Sequence, residues 1–146
     1  MIVAMDDVLW GINPDNDSMQ KIIDRFKEHI DGLRNRYGVQ IDLLVDEKIA
    51  GLKLDMQLRQ NIFWLLRGGS TNIVRTGAAN CHFHIGFKKP QLIYTMEFDS
   101  SNTDMLQLNN LLQRKELADK LEEINAVLDA KLHKTRSVIE LSIPVY

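Results

Sequence analysis

From Cys81 to Phe98 the chain alternates between apolar and other residues. Cys81, Phe83, Ile85 and Phe87 share one parity, His82, His84 and Gly86 the other, and after Lys88-Lys89-Pro90-Gln91 the pattern resumes with Leu92, Tyr94, Met96 and Phe98. Successive side chains of a strand point to opposite faces, so a strand collects each apolar set on one side. Two such runs on either side of a proline-containing turn predict a β-hairpin. A hairpin with one apolar face needs another layer to cover it.

The flanking segments supply that layer. Asp15, Asn16, Asp17 and Ser18 are N-cap candidates for a helix whose apolar positions are Met19, Ile22, Ile23, Phe26, Ile30 and Leu33, with Gly38 to close it. Val39 to Val45 shifts to a two-residue period and predicts a strand. Asp55 caps a second helix that carries Leu58, Ile62, Leu65, Leu66 and Ile73 and ends near Gly77. A third helix is expected over Asp104 to Ala126, with Leu108, Leu111, Leu112, Leu117, Leu121 and Ile124 as its stripe. Val127–Leu132 and Ser137–Val145 read as a closing hairpin around His133-Lys-Thr-Arg136, with Pro144 tolerable only at a strand end. The expected architecture is α+β: a two-layer sandwich of three main helices on a mixed, mostly antiparallel sheet.

Composition narrows the class. With 146 residues the chain has the length of one domain,. Eighteen Lys and Arg against twenty Asp and Glu leave a net charge of −2, which argues against nucleic acid as a partner,. One cysteine, Cys81, gives neither an internal disulfide nor a thiolate zinc site and fits a reducing compartment,. No apolar run approaches the roughly 20 residues that span a bilayer, so no membrane contact is expected of this segment. Cys81 and His82 fall on opposite faces of one strand, which speaks against a Cys-His metal cluster. Gly68-Gly69 lacks the Lys-Ser/Thr of a phosphate loop and sits inside a helical period, where each glycine costs about 1 kcal/mol relative to alanine.

Three stretches together resemble the C-terminal ATP-binding domain of bacterial two-component sensor histidine kinases, the Bergerat-type fold. Met5-Asp-Asp-Val-Leu-Trp-Gly-Ile-Asn-Pro-Asp-Asn-Asp-Ser18 is similar to the segment joining the phosphoacceptor hairpin to its second helix. Arg59 to Gly77 resembles the family's N-box helix, and Leu117 to Ala126 with Ser137 to Pro144 resembles its last helix and closing strand. The resemblance implies that residues 1–14 are a remnant of the dimerisation and phosphoacceptor region with its connector. It implies that residues 15–146 are the ATPase domain, cytoplasmic, with ATP and Mg²⁺ as cofactors.

Site residues follow from the same resemblance. An N-box carries a Glu and, four residues on, an Asn on the same helical face; the Glu assists phosphoryl transfer and the Asn binds Mg²⁺. Here Asn72 is retained as the candidate metal and nucleotide ligand, while the Glu position is Gly68. Arg75 stands where the family often places a basic residue near the phosphates, and Thr76 replaces a common His. The family's Asp-x-Gly-x-Gly box aligns with Met96-Glu-Phe-Asp-Ser-Ser-Asn-Thr-Asp104. Phe98 takes the adenine-binding position, and Asp99 reaches the inner face only if a bulge intervenes. No glycine follows Gly86, so the glycine-rich lid is absent,. His29 lies after Pro14, not before it as the phosphoacceptor would, and is expected to face solvent.

The sequence therefore leads to an ATPase-like domain of a sensor histidine kinase in phosphorelay signalling, with impaired or lost ATP binding, no catalytic residue assigned, and Asn72, Arg75 and Asp99 as the remaining nucleotide contacts. The resemblance implies a response regulator and upstream sensor domains as partners, and a homodimer in the full-length protein. Two other functions stay open: an active domain that phosphorylates a His on an upstream helix, and a non-catalytic interaction or dimerisation module.

Overall fold

The computed structural model describes residues 18–52 and 54–145; the expected connector at 1–14 lies outside them. The chain runs α1 (Met19–Tyr37), β1 (Ile41–Val45), a short 3-10 turn (Glu47–Ile49), α2 (Met56–Arg75), β2 (Ala79–Lys88), β3 (Gln91–Asp99), α3 (Met105–Leu112), α4 (Lys115–Glu123), β4 (Val127–Lys131) and β5 (Arg136–Pro144). The five strands form one sheet in the order β1-β2-β3-β5-β4. β1 pairs parallel to β2 with α2 as the connection, and every other pairing is antiparallel. This is the α+β sandwich expected, with a mixed sheet.

Each helix is placed by its apolar stripe. Met19, Ile22, Ile23, Phe26, Ile30 and Leu33 are all buried on α1, and Gly38, at φ +62, closes it by donating its amide to the Arg34 carbonyl at 2.9 Å,. At the other end the amides of Met19 and Gln20 donate to the carbonyls of Leu52 and Ala50 rather than to a side-chain cap,. Asp55 caps α2 by accepting from the Leu58 amide at 2.8 Å.

The hairpin keeps the predicted register, with Phe83 opposite Met96 and Ile85 opposite Tyr94. Its inward side chains meet the helices: Tyr94 contacts Phe26 edge-on at 5.8 Å and Phe83 at 6.1 Å between ring centroids. Truncating a buried aromatic of this kind typically costs about 3–5 kcal/mol.

The single third helix expected over 104–126 is two helices, with Gln113 and Arg114 between them. The helical period explains the break. Leu108 and Leu117 are nine residues apart, about two and a half turns at 3.6 residues per turn, so an unbroken helix would aim them in opposite directions. Arg114 instead takes an extended conformation, φ −65 and ψ 139, and turns the Leu117 and Leu121 face back toward the core.

Candidate functional site

The helix α2 presents two different stripes to two different spaces. Trp64, Gly68 and Asn72, each four residues from the last, line a cavity between α2, the inner sheet face and the α3–α4 elbow,. Phe63, Arg67, Thr71 and Arg75, spaced the same way, line an open groove shared with α1. Asn72 and Arg75, paired by the sequence reading, thus border separate spaces.

The cavity encloses about 120 Å³. Its floor is Met96, Ile139 and Leu141 from the sheet, its cover Leu108, Leu112 and Leu117, and the polar groups at its walls are Asn72, Arg114 and Glu116. Cavities that take drug-sized ligands usually have roughly 300–1,000 Å³, so this one is small in its present form. The cover is tied to α2. Lys120 donates to the Asn61 side-chain oxygen at 3.3 Å, the Asn61 amide donates to Glu123 at 3.1 Å, and the Lys120 ammonium lies 5.8 Å from the centre of the Trp64 ring.

Both glycines of α2 border this cavity, for different steric reasons. A Cβ on Gly69 would sit 3.3 Å from the Met96 sulfur, so the glycine allows the helix to approach the sheet. A Cβ on Gly68 would meet nothing within 4 Å, which leaves an open bay one turn before Asn72.

Asp99 lies on the outer face of the sheet. A bulge is present, but it falls in β2 between Ala79 and His82, where Asn80 takes a positive φ of 46. β3 keeps an unbroken alternation that buries Phe98 and turns Asp99 outward with Glu97,. The Asp99 carboxylate accepts from the Ser101 amide at 2.9 Å. Hydrogen bonds from Ser101, helped by the Arg136 guanidinium, hold its pKa below the ordinary carboxylate value,.

The residues after Asp99 form a pinned turn. Buried Ser100 donates to the His133 carbonyl at 2.5 Å and accepts from Ser137 at 3.0 Å. The Asp104 amide donates to the Thr76 carbonyl at 2.7 Å, seating the turn on the C-terminus of α2. Gly77, at φ +103, makes that contact possible, because a Cβ there would lie 2.5 Å from the Asn102 carbonyl oxygen.

His29 departs from the expectation that it faces solvent. It is half-buried between the two helices, 2.8 Å from the Thr71 hydroxyl and stacked on Phe26 at 6.5 Å. The reason is its place on α1, three residues after Phe26 and one before Ile30, on the shoulder of the apolar stripe. Cys81 is buried while His82 and His84 are exposed on the other face. Among the described residues no three His, Cys, Asp or Glu side chains gather as a metal site.

Sequence reasoning missed Arg114, Glu116 and Trp64 as cavity residues. Trp64 had a legible signal, since it precedes Gly68 by one turn on the same face. Arg114 had none, because its position depends on the break between α3 and α4.

No protein-family model matches the sequence, and no curated protein does. Solved structures match in fold. The chain superposes on the histidine kinase domain of the blue-light-activated kinase of Erythrobacter litoralis with a TM-score of 0.61 at 13% identity, covering 86% of this chain and 63% of that one. On the catalytic domain of the histidine kinase ThkA the TM-score is 0.67 at 9% identity, with 88% and 92% covered. On the Acinetobacter baumannii histidine kinase AdeS it is 0.67 at 10% identity, with 96% and 76% covered. The chain has the fold of histidine kinase catalytic domains, and it spans just under two thirds of the Erythrobacter domain.

Proposed function

We propose that this chain is the ATPase-like domain of a two-component sensor histidine kinase, acting in phosphorelay signalling with weakened or lost nucleotide binding. The observation that carries the reading is Asn72 bordering an interior cavity of a histidine-kinase fold, with Gly68 one turn earlier where that family's N-box has its Glu. A glycine supplies no carboxylate to assist phosphoryl transfer.

The donor set supports weakened binding. ATP with Mg²⁺ needs several charged or hydrogen-bonding groups around its phosphates and an acceptor at its base. The cavity walls offer Asn72, Arg114 and Glu116 among predominantly apolar neighbours; Arg75 borders the groove and Asp99 the opposite sheet face. These residues do not fit the cofactor as a set. On this reading the domain serves its parent kinase as a structural or regulatory part, on the cytoplasmic side, in a homodimer that engages a response regulator.

Isothermal titration with Mg-ATP and with a non-hydrolysable analogue tests the proposal. We expect no heat attributable to binding at micromolar concentrations. Micromolar binding that is lost in Asn72→Ala would overturn the impaired-site reading in favour of an active domain.

A further inference from the structure

The cavity between α2, the sheet and the α3–α4 elbow is apolar where a nucleotide site has to be polar. Trp64, Met96, Leu108, Leu117, Ile139 and Leu141 supply much of its wall. Arg114 and Glu116 are exposed and stand at its mouth, which leaves half-buried Asn72 and the Trp64 indole N–H as the hydrogen-bonding side-chain groups farther in. A buried water typically holds about three polar partners, and a wall with so few of them favours an apolar occupant.

We propose that this cavity binds a small uncharged molecule built on a single, mainly hydrocarbon ring. Volume selects the class: an apolar protein cavity of about 150 Å³ accepts benzene, whereas pockets for drug-sized ligands start near roughly 300 Å³. At about 120 Å³ this cavity belongs with the first. Gly68 keeps the space beside α2 open, since a Cβ there would meet nothing within 4 Å. Met96 in the floor has a flexible thioether that adapts to the outline of a ligand, and Trp64, one turn before Gly68, offers an aromatic partner. Entry passes under the elbow: no residue of α4 is fully buried, so this helix can part from α2 at little packing cost,. The inference rests on the reading that the cavity has weakened nucleotide affinity, and it names what the same space takes instead.

The test is a titration of fluorobenzene with the full chain, followed by ligand-detected ¹⁹F NMR. The apolar area that one ring buries corresponds to a Kd of roughly 1 mM or tighter. Gly68→Leu fills the bay and is expected to weaken binding at least about tenfold, with helical content unchanged by circular dichroism. Gly68→Met, whose side chain bends to fit the bay, takes its place if the leucine variant does not fold. Gly32→Leu makes the same exchange at an exposed position of α1 away from the cavity, and should keep affinity within about twofold. No saturable binding up to about 5 mM fluorobenzene, or equal loss in Gly32→Leu, overturns the proposal. A parallel titration with Mg-ATP separates the two readings. Micromolar Mg-ATP binding beside fluorobenzene binding that Gly68→Leu abolishes sinks only the nucleotide reading, and absence of both ligands sinks only this one.

Discussion

Replacing the two adjacent glycines of α2 one at a time isolates what each does. A glycine inside a helix is less stable than alanine by about 1 kcal/mol, because it loses more backbone freedom on folding. At Gly68 a new Cβ meets nothing within 4 Å, so Gly68→Ala should keep most of that gain, about 0.5–1 kcal/mol. At Gly69 the Cβ lands 3.3 Å from the Met96 sulfur and 3.6 Å from its terminal methyl. Met96 is itself buried on the inner face of the sheet and must shift a few tenths of an ångström, an overpacking cost that offsets the gain and leaves Gly69→Ala within about 0.5 kcal/mol of wild type. For a chain of this length the Gly68 gain corresponds to a rise in Tm of about 2–4 °C. Urea unfolding followed by circular dichroism at 222 nm measures both variants. If Gly68→Ala destabilises, or if Gly69→Ala gains as much as its neighbour, the claim that one glycine leaves a bay and the other admits the sheet is wrong.

Three further outcomes follow from the packing of the turn and the core. Gly77→Ala should cost at least about 2 kcal/mol, from the positive φ and the overlap with the Asn102 carbonyl,, and a variant as stable as wild type would show that the 100–104 turn does not rest on α2. Tyr94 is fully buried and its hydroxyl has no hydrogen-bond partner among the described residues, so Tyr94→Phe should leave stability equal or raise it by about 1 kcal/mol in urea titrations, whereas a loss of that size would reveal a partner for the hydroxyl. Burial pushes the Cys81 thiol up to about 12 from an ordinary 9.0 and raises Tyr94 in the same direction. The folded state then holds protons that the unfolded state releases, so stability should be unaffected below pH ~9 and fall as pH rises from there toward ~12. Denaturation midpoints across pH 7–11 measure this slope, and a flat profile in that range would contradict it.

Much of the fold could be read because it is written in periods. The two-residue alternation of 81–98 specified both strands and their inward faces, and the stripes of α1 and α2 matched their buried residues one for one at Ile22, Phe26, Ile30, Ile62 and Leu66. The α3–α4 break was also encoded, in the nine-residue step from Leu108 to Leu117, but no proline or glycine marked it. The site was less legible. Assigning Asn72 and Arg75 to one pocket ignored that three residues along a helix can border a neighbour on one side and a cavity on the other. The outward placement of Asp99 depended on which strand of the hairpin held the bulge, and pattern alone does not distinguish them. His29 was misjudged because a shoulder position is decided by what the neighbouring helix offers, here the Thr71 hydroxyl.

The geometry of α2 explains how a fold of this kind tolerates different residues around its cavity. Ile62, Leu65, Leu66 and Ile73 carry the buried core contact, and Trp64, Gly68 and Asn72 occupy a different stripe, four residues apart and facing the cavity. A Cβ on Gly68 meets nothing within 4 Å, so exchanging the side chain at position 68 costs little folding free energy beyond helix propensity. Arg67, Thr71 and Arg75, on a third stripe, face the groove shared with α1, while Phe63 on the same stripe belongs to the core. One helix therefore holds the sheet, shapes a cavity and borders a groove; Leu65 and Ile73 serve both core and cavity, whereas Gly68 and exposed Arg75 stand outside the core and can change without disturbing it. Identities of 9–13% to solved kinases at TM-scores of 0.61–0.67 fit that arrangement: the fold requires apolar residues at a fixed period, not particular residues in the stripes between,.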